Sequence, residues 1–464
     1  MPRRKTAPDL PMNLPNYFLA DLPPEATLSP AMIFEACQTL KRNREKFLAP
    51  RSTPSLVNFL SELAADWLNP EFPFRRFALE NAARTGFPRP TLERGLDSFF
   101  QQLTRENLRA LLTQELGNAD CVMEGTDSSA LPSVAPRRLF RPPEFQVHIG
   151  AGNLPNPTLT SLIFGILLRS AQFVKCASGA SFLPRLFVHS IYEADPKLGA
   201  CLEVAEWRGG NENLENALFA EADCVTVTGD DATLEAVRRR LPLKTRFIGY
   251  GHRVSFAFVA AEALRGARAR HLVSAAANDV IAWNQLGCLS PHVIYVQTGG
   301  GVLPEQFAQW LAEELERREA GEPRGEITTE ESAAIASRRA IYEIRAAHDP
   351  ERTRHFFSKG STAWTVIFEA DPRFQISCLN RFIYVKPVAD LKTALEAADA
   401  IRGKVSTVGL AAPEEAVPGL ARQLARWGVT RICPLGRMQT PPLTWHHDGR
   451  PALSDLVTWT DVEL

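Results

Sequence analysis

The stretch NDVIAWNQLGCLSPHVIYV, residues 278–296, is the most informative part of this 464-residue chain. Leu272, Ala276 and Val280 stand one helical turn apart and lead into Asn-Gln-Leu-Gly-Cys, after which a Ser-Pro break and an apolar strand follow. The pattern predicts that Cys288 lies where a helix meets a strand, a place where a side chain is held rigidly and still meets a substrate. A thiol there suits covalent catalysis, because sulfur forms and releases thioesters readily. The alternative is a buried, inert cysteine.

Length and composition indicate an ordinary globular protein of two or three lobes. Hydrophobic residues make up 45% and charged residues 23% of the chain, and the formal net charge is -1. This balance gives no reason to expect nucleic acid or an anionic membrane surface as a partner. The longest apolar run, 159–168, is half the length of a membrane span and predicts a buried helix.

Cysteine usage bounds the cellular location. The eight cysteines show no CxxC spacing, which argues against a zinc site, and we expect no bound metal. Their density is too low for a disulfide framework, which favours a reducing cytoplasm. The first residues, MPRRKTAPDLP, are basic but lack the apolar run of a secretion signal, so we expect a cytoplasmic protein.

From Phe145 onward, short β-branched runs alternate with helical patterns. This alternation predicts an α/β fold with a doubly wound parallel-sheet cofactor lobe and a second α/β lobe for catalysis. The run VSFAFVA, beginning at Val254, is assigned to the first of these sheets. We expect four parts, which are an N-terminal arm with helices (1–117), a dinucleotide-binding domain (118–264), a catalytic domain (265–430) and a tail that would serve oligomerisation (431–464).

Three turns that end strands, GAGNLP, KCASGAS and TGDDAT, fall at the sheet edge where such folds bind ligands. Thr228, Gly229 and Asp230 open a helix, so their backbone N–H groups are candidates to bind a diphosphate; the alternative is that Asp230 caps the helix. Lys175 and Ser178 are candidates for a ribose or its phosphate. A basic group without a carboxylate favours the 2′-phosphate of NADP(H).

Six segments follow one another in a specific order and spacing: HIGAGNLPNP, VKCASG, GYGHRVSF, NQLGCLSPHVIYV, LNRFIYVKP and STVGL. Together they resemble the acyl-CoA reductases of the LuxC type, a branch of the aldehyde dehydrogenase superfamily that supplies long-chain aldehyde to bacterial luciferase. The likeness runs from about residue 86 to residue 464 and is most specific around Cys288. It implies an aldehyde-dehydrogenase-like fold and usually an oligomerising strand arm, hence a homo-oligomer.

The resemblance also implies roles for particular residues. Aldehyde dehydrogenases carry an Asn-containing turn and a Gly-Gln-x-Cys nucleophile turn, which Asn153 and Gln285 with Cys288 resemble. Members that hydrolyse their thioester use a glutamate in a Glu-Leu-Gly-Gly turn, but this chain has Gly-Tyr-Gly-His-Arg at 249–253. The loss of that base suits transfer of an acyl group between CoA and cysteine. His252 is a candidate to exchange a proton with Cys288 or CoA, and the alternative is a structural histidine.

The activity implied is NADPH-dependent reduction of a long-chain acyl-CoA or acyl thioester to the aldehyde. Cys288 would take the acyl group while the Asn153 amide and the Cys288 backbone N–H hold the oxyanion, and NADPH would supply the hydride. Two alternatives stay open, an acyltransferase that uses Cys288 without hydride transfer and a non-catalytic oligomeric scaffold of the same fold. The acyl donor also stays open between CoA, an acyl carrier protein and an acyl-protein synthetase.

Overall fold

The structure is a computed structural model that describes residues 14–23, 25–117 and 137–462. The first part of the expected dinucleotide-binding domain, including Cys121, lies outside these residues. Several helices begin at residues typical of N-caps, such as Ser29, Ser52 and Thr104, whose hydroxyls accept backbone N–H groups of the first turn. The helices are α1 (Pro30–Asn43), α2 (Thr53–Leu68), α3 (Pro73–Glu80), α4 (Arg89–Phe100), α5 (Arg105–Leu116), α6 (Asn156–Leu167), α7 (Phe182–Ala194), α8 (Pro196–Gly199), α9 (Glu212–Glu221), α10 (Asp231–Arg240), α11 (Ala267–Ile281), α12 (Pro304–Glu319), α13 (Thr329–His348), α14 (Leu391–Ala397) and α15 (Val417–Trp427).

The strands form three sheets in the described residues. They are β1 (Arg137–Arg141), β2 (Phe145–Ile149), β3 (Ala171–Cys176), β4 (Leu202–Glu206), β5 (Cys224–Thr228), β6 (Arg246–Tyr250), β7 (Val254–Val259), β8 (Pro291–Gln297), β9 (Thr353–Phe357), β10 (Thr365–Glu369), β11 (Phe382–Val388), β12 (Val405–Ala411), β13 (Arg431–Pro434) and β14 (Thr458–Val462). The element types therefore confirm the α/β class.

The first sheet has the order β4-β3-β2-β5-β6, and all its strands are parallel. The chain leaves β2 toward β3 on one side and later reaches β5 on the other, so the strand order reverses between β2 and β5. Helices α6 and α7 cover one face, and α1 and α9 cover the other. The expected doubly wound sheet is confirmed, and its switch point brings the turns after β2 and β5 to one edge.

The second sheet has the order β13-β12-β7-β8-β11-β10-β9, parallel except for β9, which runs antiparallel to β10. The assignment of VSFAFVA to the first sheet was wrong, because β7 pairs with β8 and β12. Its apolar pattern is the same as that of the neighbouring strands, so only the tertiary partners decide which sheet it joins. Strand β13 also pairs in this sheet, although the expected tail began at its first residue, Arg431.

The N-terminal helices pack against the first sheet and reach the second lobe. Trp67 of α2 donates from its indole N–H to the Ser190 hydroxyl of α7 at 3.0 Å. The same apolar core takes in Trp283, which follows α11. A separate antiparallel ribbon pairs β1 with β14. Among the described residues, no helix combines the length and the hydropathy that a membrane crossing requires.

Candidate active site

A strained turn joins α11 to β8. Trp283, Asn284 and Gln285 have φ values of 50°, 51° and 61°, so three successive non-glycine residues adopt left-handed backbone conformations. Each such residue costs on the order of 1–3 kcal/mol and persists only where the surrounding structure fixes it. The expected helix-to-strand joint at Cys288 is therefore present, and its backbone is far from relaxed.

Buried hydrogen bonds hold this turn. The Gln285 amide donates to the carbonyl oxygens of Pro291 and Phe382, at 2.9 and 3.1 Å. The Asn284 amide donates to the Arg324 carbonyl at 2.9 Å and accepts from the Arg381 guanidinium at 3.0 Å. Gln285 is fully buried and does not line the cavity at Cys288 described below, so its observed contacts are those that fix the turn.

The loop before β11 repeats this unusual backbone. Leu379, Asn380 and Arg381 have φ values of 59°, 50° and 66°. The buried Arg381 guanidinium also binds Glu319 at 2.8 Å and the Glu322 carbonyl at 2.7 Å. One cation thus ties both left-handed turns to the end of α12, and charge-assisted hydrogen bonds of this kind are the stronger ones.

Cys288 lies at a cavity of about 210 Å³. Its carbonyl accepts from the Ser255 hydroxyl at 2.7 Å, which anchors the residue to β7, and the residue as a whole is half-buried. The apolar walls come from α4, α6, the first sheet and the C-terminal segment, namely Phe99, Leu103, Leu154, Phe164, Ile248, Leu443, Ala452 and Leu456. Cys288 therefore borders a largely apolar cavity rather than a packed core.

The Cys288 thiol is protonated at rest. Its burial raises the pKa to about 12, and the Asp448 carboxylate adds to this. Arg253 offsets part of the effect, but it already binds Asp448 at 3.2 Å. A thiolate is the competent nucleophile, so the site needs a proton acceptor close to this sulfur.

Asn153 joins the two lobes. Its side-chain amide donates to the Leu286 carbonyl at 2.8 Å, so the turn after β2 meets the cysteine turn directly. An amide has a second N–H, which this hydrogen bond leaves unused. The Cys288 backbone N–H itself donates to no protein oxygen in the described chain. The structure therefore brings the exposed Asn153 side chain to the cysteine turn, just outside the residues that line the cavity.

The structure does not bring His252 to the thiol. Its side chain is exposed and does not line the cavity, while its backbone N–H donates to the Asp231 carboxylate at 3.1 Å. His447 lines the cavity instead, stacked on Tyr250 at 4.3 Å and against Trp445 at 4.6 Å.

Sequence reasoning missed His447. Burial lowers its pKa, so its imidazole is neutral and can accept a proton. The sequence His446-His447-Asp448, on a turn flanked by Pro and Gly, indicates a solvated or subunit-contact loop rather than a metal site, and in the described residues no cluster of metal-ligating side chains forms. The signal that could have found it is the aromatic Trp445 beside it, which favours a packed position over a solvated one.

Lys175 and Ser178 lie at the edge of the first sheet. Lys175 is buried, its pKa is lowered by that burial, and its amine lies 5.9 Å from the Trp207 ring centre. Ser178 is exposed. A carboxylate is nevertheless present at this place, because Glu206 at the end of β4 accepts the Gly179 backbone N–H at 2.7 Å. The sequence pattern around Lys175 did not indicate this carboxylate, because Glu206 is 28 residues further along the chain than Ser178.

The turn after β5 is largely committed to protein contacts. Asp230 caps α10 by accepting the Thr233 N–H at 2.7 Å, as the alternative interpretation held. The Gly229 N–H donates to the Tyr250 carbonyl at 3.2 Å. Thr228 lines the Cys288 cavity. A narrow cleft lies at the same edge of the sheet and is lined by residues of the turns after β2 and β3.

Comparison with known proteins shows which family the chain resembles. A family model described as acyl-CoA reductase (LuxC) matches residues 48–459. The long-chain acyl-protein thioester reductase of Aliivibrio fischeri is 26% identical over 332 residues, which cover 70% of this chain and 64% of that protein. The protein of the same name from Photorhabdus luminescens is 24% identical over 422 residues, 88% of this chain and 82% of that protein. The match thus spans less than two thirds of the Aliivibrio protein.

Solved structures show the same fold. A putative aldehyde dehydrogenase from Burkholderia cenocepacia superposes with a TM-score of 0.69 at 15% identity, covering 94% of this chain and 92% of that one. Glyceraldehyde-3-phosphate dehydrogenase from Methanocaldococcus jannaschii, solved with NADP, gives a TM-score of 0.62 at 12% identity, covering 94% and 95%. The aldehyde-dehydrogenase-like fold is confirmed.

The contact between α4 and the strained turn is directly testable. A methyl group at Gly95 would meet the Trp283 ring at 2.1 Å, so Gly95→Ala must push this ring out of place. We expect it to lower the free energy of unfolding by about 1–3 kcal/mol, measured by urea denaturation. Gly419→Ala is the control, because nothing lies within 4 Å of the added methyl in α15. Equal stability of the two variants would contradict the close packing.

Proposed function

The chain belongs to the LuxC acyl-CoA reductase family, and on that premise we propose that it reduces a long-chain acyl thioester to the aldehyde through an S-acyl intermediate on Cys288. The observation that carries the proposal is the position of Cys288 at a largely apolar cavity. A fatty acyl chain fills such a space favourably, because each methylene removed from water stabilises binding by about 0.8 kcal/mol. Its relatives are named long-chain acyl-protein thioester reductases, which agrees with this chemistry.

His447 is our candidate for the proton acceptor of Cys288. It lines the same cavity and its imidazole is neutral, since burial lowers its pKa. Transfer of the thiol proton to His447 creates the nucleophile, and the returned proton can neutralise the departing thiolate. Asp448, 4.0 Å from the His447 ring, stabilises the charged imidazole. His252 is less suited to this role, because it is exposed.

The oxyanion formed by attack on the thioester needs two donors. We assign them to the Cys288 backbone N–H and the second N–H of Asn153, whose first N–H is fixed by the Leu286 carbonyl. Such a preorganised donor stabilises the transition state by about 3 kcal/mol. Gln285 supports this geometry because its amide binds the turn to the Pro291 and Phe382 carbonyls.

The site also protects a thioester from water. The turn after β6 carries no carboxylate of its own, and Asp231, which packs against Gly251, is bonded to the His252 N–H and does not line the cavity. A carboxylate that could activate water is therefore absent from the described cavity walls. This favours transfer of the acyl group over its hydrolysis.

A nicotinamide cofactor fits the edge of the first sheet. Its turns carry Gly150, Gly152 and Gly179, which leave room for a backbone-bound diphosphate. Lys175 makes no ion pair among the described residues and lies beside Gly209, so a ribose or phosphate would bind there. The cofactor supplies the hydride. We propose NADPH, whose 2′-phosphate Lys175 would attract against the opposing charge of Glu206, with Lys175 and Ser178 near the ribose and Thr228, Gly229 and Asp230 on the diphosphate side.

We also propose that the acyl donor is CoA or a protein-bound thioester, such as that of an acyl carrier protein or acyl-protein synthetase. The β1–β14 ribbon exposes Leu139 and Trp459, which supports a homo-oligomer built on this arm. The seven cysteines that the structure describes are free, as the reducing cytoplasm we propose for this protein would keep them.

The choice between NADPH and NADH rests on Glu206. A carboxylate opposes a 2′-phosphate, so Glu206→Gln should raise NADPH affinity relative to NADH by a few-fold, since partly exposed charges are screened. The amide oxygen can still accept the Gly179 N–H. Fluorescence titration with each cofactor measures the ratio of the two affinities. The control is Glu212→Gln, which changes an exposed carboxylate of α9. An unchanged ratio would show that Glu206 does not face the ribose.

The reduction itself is tested with labelled acyl-CoA. We expect a thioester adduct on Cys288 that is detected by mass spectrometry and disappears when NADPH is added, with release of aldehyde. Cys288→Ala should abolish the adduct and reduce turnover by at least about a thousandfold, while Cys378→Ala, at another partly exposed cysteine, should keep both.

Other outcomes of that experiment separate the alternatives. An adduct that persists with NADPH, together with no nicotinamide binding, would identify an acyltransferase. No selective labelling of Cys288 by acyl-CoA or iodoacetamide would identify a non-catalytic scaffold. A Cys288→Ala variant that still reduces acyl-CoA would refute the covalent mechanism.

A further inference from the structure

The Cys288 cavity is not apolar throughout. Three buried polar side chains from the first sheet line the cavity: Gln146 and His148 of β2, and Thr226 of β5. All are more than nine-tenths buried. Each has one polar atom without a hydrogen-bond partner, namely Gln146 Oε1, His148 Nδ1 and Thr226 Oγ1. Buried polar groups are normally paired, so a cluster of three in one cavity calls for a ligand group.

The hydrogen bonds around His148 fix which proton it carries. Gln172 donates from its amide nitrogen to the Leu162 carbonyl, which can only accept. Its amide oxygen therefore faces His148 Nε2 at 2.9 Å, so Nε2 must hold the proton. Burial lowers the pKa of His148 to about 4, which keeps the ring neutral. The unpartnered Nδ1 is thus a hydrogen-bond acceptor.

The same argument applies to Gln146. The Ser170 hydroxyl donates its proton to the Pro143 carbonyl at 2.6 Å. Toward Gln146 the Ser170 oxygen can therefore only accept, so the amide nitrogen of Gln146 faces it, at 2.9 Å. The unpartnered Oε1 of Gln146 is therefore a second acceptor. Thr226 supplies a hydroxyl that both donates and accepts. A ligand hydroxyl group can donate to one of the two acceptors and accept from the Thr226 hydroxyl.

The polar cluster lies deeper than the thiol. His148 and Thr226 are direct neighbours across β2 and β5, and Ile248 continues their row on β6. Thr228 and Tyr250 end their strands two residues, or about 6.6 Å, further toward the carboxyl edge. The cysteine turn meets the chain beyond that edge, because Leu286 binds Asn153 after β2. A chain attached to Cys288 passes apolar side chains before it reaches the cluster.

We propose that the acyl substrate carries a hydroxyl group along its chain, which donates to His148 Nδ1 and accepts from the Thr226 hydroxyl, so that the enzyme prefers hydroxyacyl thioesters to unsubstituted ones. This inference rests on the acyl reduction proposed above. An unsubstituted chain would leave all three polar atoms unpaired, which is why a site of this kind discriminates against the analogue that lacks the hydroxyl. Gln146 extends the acceptor surface beneath the pair.

The turnover test compares ω-hydroxyacyl-CoA substrates of increasing length with their unsubstituted counterparts. We expect that at one length the hydroxylated chain has a kcat/KM about tenfold higher or more, and that this length marks the depth of the cluster. Unsubstituted chains that match or exceed the hydroxylated ones at every length would overturn the inference, and they would show that the cluster is filled by water while leaving the reduction itself intact.

Two variants assign the preference to the cluster. Thr226→Val keeps the side-chain shape and removes the hydroxyl, and His148→Phe removes the acceptor. Each should reduce the ratio of the two kcat/KM values to about one. Ile248→Val changes the same row without touching a polar atom, so it should keep the ratio. A ratio that survives both Thr226→Val and His148→Phe would place recognition elsewhere and contradict the inference.

A binding test is independent of turnover. Trp283 and Trp445 line the cavity and report occupancy by intrinsic fluorescence, so decanediol and decanol can be titrated without acyl transfer. In a purely apolar cavity the second hydroxyl weakens binding, because its desolvation is not repaid. We expect the diol to bind at least as tightly as the alcohol, and Thr226→Val to reverse that order. A diol that binds more weakly would overturn the inference, whereas tight diol binding without reduction of any thioester would refute only the proposed function.

Discussion

The site depends on one strained piece of backbone. Trp283, Asn284 and Gln285 adopt left-handed conformations that none of them favours alone, and the turn reverses the chain between α11 and β8 so that Cys288 faces the first lobe. The bonds of Gln285 and Asn284 to the second sheet and to Arg381 fix this turn in the folded state. Buried hydrogen bonds, some of them charge-assisted, thus offset the backbone strain. The position of the thiol is set by contacts from across the second lobe rather than by its neighbours in sequence.

The rest of the active site follows from that placement. With the turn fixed, Leu286 meets Asn153 and so locks the edge of the first sheet against the cysteine. The C-terminal segment then closes over the cavity, with Trp445 and His447 stacked in sequence against Tyr250. Burial of the sulfur has a chemical consequence, because it holds the thiol protonated until a base acts. In our account, the reactivity of Cys288 is therefore conditional on the groups that the two lobes bring together.

The sequence predicted what local pattern and family resemblance encode. The doubly wound sheet, the joint at Cys288 and the cap at Asp230 are all visible in spacing and residue type. The rest depends on partners far along the chain. VSFAFVA is an ordinary apolar strand whose sheet is chosen by β8 and β12, and the left-handed turn runs against the preferences of its own residues. His447 and Glu206 reach their places only because the fold brings them there; the aromatic Trp445 is a short-range signal for the first, and no short-range signal marks the second.

The central claim is that the cavity beside Cys288 receives the acyl chain. It is tested most directly by a crystal structure of the protein alkylated with a long-chain halomethyl ketone, in which the adduct mimics the acyl-enzyme. The account predicts a single covalent bond to Cys288, with the chain lying between Phe164 and Leu443 and reaching toward His148. A chain that lies outside this cavity, or modification of another cysteine while Cys288 stays free, would contradict it.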